Sequence, residues 1–349
     1  SIFLVFIENP FFKRAAAKLS LELSNITILS LYFKSHKSAQ EVISPSTKFL
    51  LYTTAILLLS SCNENEVFTR EQYKHVFSFV SNSDHISEKT FDLSDTTRVG
   101  YIALSMGGST NIDKDANIHI IKSPETLESY NTTQFDNNVD KYVRILPESH
   151  YSVATMNVCI KAGQTTGVLP ITIKPEGLSP DSTYYLPLRI QSFDNYEANP
   201  HRNYVFYHVR IKNKWAAAGG STYNMLTMSY LNNNPTGIAR PGTKTLFAIG
   251  ANTIRMMAGN ESFDASRANL DKFALYLDIN PDGSIKIRPY RDINVIQLSD
   301  DKDFPNKYFI EETSHGTKYA NFLLHYKYKS GSDWLEIKEE LRMKITNDK

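Results

Sequence analysis

From residue 74 onward the chain repeats one pattern: a short run of alternating apolar and polar residues, then a cluster of turn formers. That alternation has the two-residue period of a half-buried strand, not the 3.6-residue period of a helix. The clearest case is residues 273–279 and 284–290, which flank Asn280-Pro281-Asp282-Gly283. Proline and glycine there suit a tight reversal, so the segment predicts a hairpin. Residues 319–329 and 333–345 predict another, turning at Ser330-Gly331-Ser332. Upstream, strand-like runs cover 74–80, 98–105, 117–121, 142–146, 154–162, 168–174, 184–191 and 204–212. About seven or eight short strands so spaced predict an immunoglobulin-like sandwich. Within it, 154–162 is expected to pair with 168–174 across Gly163 to Gly167. Ser123 as N-cap and Pro124 at the first helical position predict one or two helical turns over 123–130.

The small residues Ala216-Ala217-Ala218-Gly219-Gly220-Ser221 mark a flexible boundary between two modules. The expected fold class is therefore all-β, with an N-terminal immunoglobulin-like β-sandwich over 68–213 and a linker over 214–221. Residues 222–349 form a second β domain, either a sandwich or a small barrel.

Ahead of these modules lies Lys48 to Cys62, where a cation leads a short apolar run and small residues lead to a cysteine. That is the layout of a secretory signal, and its apolar stretch is shorter than the ~20 residues that span a bilayer as a helix. Leu59-Ser60-Ser61-Cys62 resembles the bacterial lipobox, which makes Cys62 the lipidated first residue of the mature protein. Residues 48–61 are then the signal peptide and 62–67 the tether. Residues 1–47 read as upstream sequence or an extended n-region, absent from the mature protein. Asn63-Glu64-Asn65-Glu66 resembles the acidic signal that sends Bacteroidetes lipoproteins to the outer face of the outer membrane.

Several motifs in order resemble a Bacteroidetes domain of unknown function found at the N-terminus of polysaccharide-utilisation lipoproteins. They are Tyr101-Ile102-Ala103-Leu104-Ser105-Met106-Gly107-Gly108, Leu146-Pro147 with Tyr151, Val158-Cys159-Ile160-Lys161-Ala162-Gly163, and Tyr184-Tyr185-Leu186-Pro187-Leu188-Arg189-Ile190. The same module precedes some endo-β-N-acetylglucosaminidase domains, and the resemblance implies a spacer with no catalytic residue. Downstream, Asp282-Gly283-Ser284-Ile285 with Pro289-Tyr290, then Leu323 to Tyr328, Trp334 and Glu340-Leu341-Arg342 resemble the C-terminal domain of the same lipoproteins. That resemblance implies a surface glycan-binding module. It also implies partners: a polysaccharide or N-glycan, a TonB-dependent transporter and starch-utilisation-like surface lipoproteins.

The net charge of +1 offers no electrostatic footprint for nucleic acid. After Cys62 only Cys159 remains, flanked by apolar residues and read as a buried free thiol; no disulfide or cysteine zinc site can form. Asp278 to Gly283 starts like a calcium loop, but its twelfth position is Pro289, so a plain turn is expected and no metal or cofactor is assigned. Glu311-Glu312 and Glu339-Glu340 are adjacent pairs that point to opposite faces of a strand, and both read as solvated surface. No pair of carboxylates marks a glycosidase, and no catalytic residue is assigned.

Sugar binding needs aromatic faces flanked by polar groups. The chain has 20 Tyr but only 2 Trp. The candidates are Trp215, Trp334, Tyr290, Tyr326, Tyr328 and Arg240, with Asn232-Asn233-Asn234 as further loop donors. Trp215 sits at the module boundary, and Tyr326 and Tyr328 share one strand face with Tyr290 on a neighbouring strand. Packing competes with binding for each aromatic. The sequence thus points to a non-catalytic, lipid-anchored surface protein that binds a glycan. An adhesin-type protein binder is the alternative, and a divergent glycoside hydrolase is the third reading.

Overall fold

The structure is a computed structural model that describes residues 71–96 and 98–346. The expected signal, the lipidated Cys62 and the acidic tether lie outside the described residues. The chain is all-β with two β domains.

The first module holds β1 (Val76–Phe79), β2 (Ile86–Asp92), β3 (Val99–Met106), β4 (Ala116–Lys122) and α1 (Pro124–Phe135). It continues with β5 (Arg144–Ile145), β6 (Tyr151–Ser152), β7 (Asn157–Ile160), β8 (Thr166–Ile173), β9 (Tyr184–Phe193), β10 (Glu197–Ala198) and β11 (Tyr204–Lys212). Two sheets form, ordered β10-β1-β3-β8-β6 and β2-β11-β9-β4-β7, with β5 added on β9. Strict alternation along β8 turns Leu169, Ile171 and Ile173 inward. They meet Ile118, Ile120, Leu186 and Val205 of the opposite sheet in one core. β9 instead carries an unbroken apolar run, because it is covered on both faces. Leu186 and Leu188 face the core, while Tyr185 packs with Phe206 beneath Leu127 of α1.

Three expectations change here. The segments around β7 and β8 do not form a hairpin: β7 pairs with β4, and β8 pairs with β3 and β6. The turn between them carries the chain from one sheet to the other, so both strands can face one core. Cys159 is half-buried rather than buried, because Val158 and Ile160 take the inward positions of a strand with period two. The helix at Ser123-Pro124 also runs longer than expected, to Phe135.

The second module holds β12 (Ser221–Leu231), β13 (Ile238–Gly250), β14 (Thr253–Met257), α2 (Arg267–Phe273), β15 (Ala274–Ile279) and β16 (Ile285–Pro289). It ends with β17 (Val295–Gln297), β18 (Lys307–Glu312), β19 (Lys318–Ser330) and β20 (Asp333–Lys344). Both expected hairpins are present, as β15–β16 and β19–β20. The sheet runs β16-β15-β14-β13-β12-β20-β19, after which β17 and β18 share the far edge of β19. It curls until its ends meet, giving a nearly closed barrel rather than a second sandwich. Side chains complete the seam. The Gln297 amide accepts from Ile287 N (2.8 Å) and donates to Ile285 O (2.9 Å), imitating a strand neighbour. Ser284 bridges to Lys307 at the start of β18.

The connector is not loose. Trp215 and Ala216 are buried, and the Trp215 ring meets Tyr308 edge-on with centroids 5.9 Å apart. Asn213 Nδ2 donates to Gly250 O (2.9 Å) and Thr253 O (3.1 Å), across the module boundary. Arg255 of β14, 1 % exposed, forms a two-point ion pair with Asp181 of the first module. At the opposite pole, Glu71 accepts from the backbone N–H groups of Ser109 (2.8 Å) and Thr110 (2.9 Å), and from Thr110 Oγ1 (2.6 Å). The eight residues of β3 separate the poles by about 25 Å.

Asp181→Ala leaves the Arg255 charge buried without its partner. Urea denaturation is expected to show a loss of roughly 3–5 kcal/mol; a change within about 0.5 kcal/mol refutes the buried pair. The Glu71 clamp predicts a pH effect. Hydrogen bonds, led by Ser109 N and Thr110 Oγ1, hold its carboxyl down at about 2, against 4.5 ordinarily. Its contribution to stability is therefore complete above pH 4.5 and lost as pH falls towards 2. NMR titration should show the Ser109 and Thr110 amides shifting with a midpoint near pH 2, and Glu71→Gln should abolish the shift.

Candidate binding cleft

The cleft arises from a mismatch in strand lengths. β13 pairs with β12 along most of its length, from Ile238 to Leu246, but with β14 only from Phe247 onward. The wall of the barrel therefore opens beside the first part of β13, and residues 258–263 fold back next to it. A cavity of about 290 Å³ lies there. Thr243, Thr245, Asn260, Glu261 and Ser262 give it a polar rim, while Met225, Met257 and Lys244 line it more deeply. Phe263 borders it with 44 % of its surface exposed, and its ring lies 4.7 Å from that of Phe247 at 31°.

Period two turns Lys244, Leu246 and Ala248 of β13 inward, and likewise Ile337, Glu339 and Leu341 of β20. A lysine and a glutamate consequently meet inside the barrel. Lys244 Nζ is paired with Glu339 Oε1 and donates to Gly259 O (2.7 Å). Thr227 Oγ1 donates to Glu339 Oε1 (3.1 Å) and Tyr326 OH to Glu339 Oε2 (3.1 Å), so both carboxylate oxygens are satisfied. Gly259 N donates back to Tyr326 OH (2.7 Å), and Tyr328 OH donates to Glu261 (3.0 Å). The backbone at Gly259 has φ +47°, and a Cβ there would stand 3.0 Å from the Tyr328 ring. Burial lowers the Lys244 pKa, with the Glu339 charge opposing it. Burial, then Glu339, pushes the Tyr326 phenol well above its ordinary value. The network thus holds residues 259–261 against the barrel and fixes one side of the cleft.

The residues singled out from the sequence do not converge. Trp215 is 6 % exposed in the connector, so its ring faces packing partners, not a sugar. Tyr326 and Tyr328 do share one strand face, but it is the inside of the barrel, at 0 % and 2 % exposure. Tyr290 follows β16, away from both, half-buried against Tyr276 (5.2 Å) and Arg255 (5.8 Å). Trp334 is half-buried on the outer wall with the Lys327 ammonium 5.4 Å from its ring. Of the loop donors, Asn232 is joined to it: Trp334 N donates to Asn232 Oδ1 (2.9 Å), and Asn232 Nδ2 donates to Asp333 (2.9 Å). Arg240 is exposed on β13, opposite Thr227. Glu339 is not solvated surface, because Ile337 and Leu341 place it on the core face; Glu340 takes the outer face. That inward glutamate in an alternating strand was the available signal for the network. Phe263 carried none, since residues 258–263 have no periodicity.

A family model described as an N-terminal domain matches residues 65–197, and another described as C-terminal matches residues 203–342. The chain belongs to the two-module family these describe. No curated protein matches it. A protein of unknown function from Bacteroides ovatus has the same fold at TM-score 0.59 and 17 % identity, covering 78 % of this chain and 98 % of that one. A B. ovatus multidomain protein that includes a domain of unknown function aligns at TM-score 0.57 and 18 % identity, over 78 % and 95 %. An auxiliary nutrient binding protein from Bacteroides thetaiotaomicron aligns at TM-score 0.50 and 15 % identity, over 78 % and 95 %.

Removing one partner from the buried network should be costly. Glu339→Leu, which strands Lys244, is expected to lose about 3–5 kcal/mol in urea denaturation. Adding Lys244→Met should recover most of it, because the charges then vanish together. A double variant no more stable than the single one contradicts this account.

Proposed function

We propose that this chain is a non-catalytic glycan-binding protein, held by lipid at Cys62 on the outer face of the outer membrane. The observation that carries the reading is the cleft beside β13: an exposed aromatic ring next to hydroxyl, amide and carboxylate groups over a methionine-lined base. An apolar ring face suits the C–H face of a pyranose, and the rim groups suit its hydroxyls. The similarity to a Bacteroides nutrient binding protein supports the same direction.

The carboxylates argue for holding rather than cutting. Glycoside hydrolysis needs one carboxylate free to act as acid and another free to act as nucleophile or base. Glu339 is saturated by Lys244, Thr227 and Tyr326, and Glu261 accepts from Tyr328 and Ser330. Among the described residues no helix is long and apolar enough to cross a membrane. The Glu71 clamp holds the start of the described chain at the pole of the sandwich opposite the barrel, and in this reading the first module acts as a standoff. A TonB-dependent transporter and starch-utilisation-like lipoproteins are the partners this role implies.

Affinity electrophoresis and titration calorimetry against a broad panel of host and plant glycans test the proposal. At least one is expected to bind without product formation, and Phe263→Ala should weaken it by about tenfold or more. Failure to bind any of them, or release of shortened product, overturns it.

A further inference from the structure

A second cavity, of about 210 Å³, lies at the module junction. Its walls include His208 and Arg210 of β11, Ser182 and Thr183 before β9, and Gly219 and Gly220 of the connector. His208 stands 3.5 Å from Glu88, its cross-strand partner, and Arg210 stands 3.7 Å from the same carboxylate. Arg210 also donates to Ala218 O (3.0 Å), which fixes the guanidinium against the connector. Burial, then Arg210, lowers the His208 pKa and keeps the ring neutral near pH 7, so it offers both a donor and an acceptor.

The two cavities are neighbours. Gly220 lines the junction cavity, and a Cβ on it would stand 2.6 Å from Thr245 Cγ2 and 3.0 Å from the Phe247 ring. Thr245 lines the cleft, and Phe247 supports Phe263 at its border. Ala248, which lines the junction cavity, is three residues from Thr245 along β13, or about 10 Å. Both connector glycines have positive φ, +87° and +99°, and place no side chain between the cavities. The cations that line either cavity both have a carboxylate partner: Lys244 has Glu339 and Arg210 has Glu88, with the neutral His208 ring beside the same carboxylate.

We propose that the cleft and the junction cavity are two subsites of one binding track, and that its ligand is a neutral oligosaccharide chain of several units lying along β13 across the module boundary. This rests on the glycan-binding reading above and adds to it chain length, neutrality and a contribution from the first module. A terminal monosaccharide would fill one cavity only. An acidic polymer would meet Glu261 and Glu88 with no unpaired cation in either lining.

The test is titration calorimetry of the full chain with linear ladders of one to six units: neutral xylo-, manno-, cello- and malto-oligosaccharides, and acidic galacturono-oligosaccharides. In a ladder that binds, affinity should rise about tenfold or more with length and then level off. Thr183→Trp, an exposed position chosen to fill the junction cavity without disturbing the core, should remove that gain and spare the shortest ligand that binds. His208→Ala should reduce it in the same direction, and Phe263→Ala should weaken every length. Thermal melts establish that each variant is folded. Affinity independent of length, a preference for the acidic ladder, or long-chain binding unchanged in both junction variants overturns the track and leaves glycan binding standing. Silence of all these ladders, together with the broad panel, overturns both.

Discussion

The second module depends on a salt bridge placed where an apolar core is expected. Lys244 and Glu339 lie on strands that are not neighbours, since β12 runs between β13 and β20. Burying either charge alone is costly, so the pair is stable only when Thr227, Tyr326 and the Gly259 carbonyl complete the set. Five positions from four strands and one loop must therefore agree. A register slip of one residue on β13 or β20 would turn a charge outward and a polar residue inward. Whatever this arrangement costs in stability, it specifies how the loop of residues 259–261 sits, and that loop forms the cleft.

The first module contributes position. The Glu71 clamp fixes the start of the described chain at one end of the sandwich, and Asp181, Asn213 and Trp215 fix the barrel at the other. A flexible connector would let the modules reorient and would disperse any site built from both. Gly220 serves here as close packing, not as slack, because Thr245 and Phe247 occupy the space a side chain would need.

Strand alternation made much of this fold legible. The hairpins at Asn280 to Gly283 and Ser330 to Ser332 could be read directly, because a turn signal separates two runs of matching period. The crossing from β7 to β8 could not, since a turn that changes sheets has the same composition as one that reverses within a sheet. Glu339 was legible in principle from its inward neighbours, but its partner Lys244 is some 95 positions earlier, and only the barrel brings them together. The burial of Trp215 was harder to read: a large amphipathic ring at a module boundary has more to gain from burial than from exposure. Phe263 was invisible because its exposure depends on where β14 stops pairing with β13.

The exposed ring is supported from behind. Phe263 rests on Phe247, and the Arg255 guanidinium lies 4.9 Å from that same ring. Asp181 of the first module grips Arg255 at two points. A chain of contacts thus runs from the rim of the cleft, through an aromatic pair and a cation, to the other module. A ring held in this way loses little freedom when a ligand settles on it, and less of the contact energy is spent on ordering. Weakening Asp181–Arg255 would loosen both the docking of the modules and the backing of Phe263. Under the proposed function, docking and binding are therefore linked through one guanidinium, and each stabilises the other to the same extent.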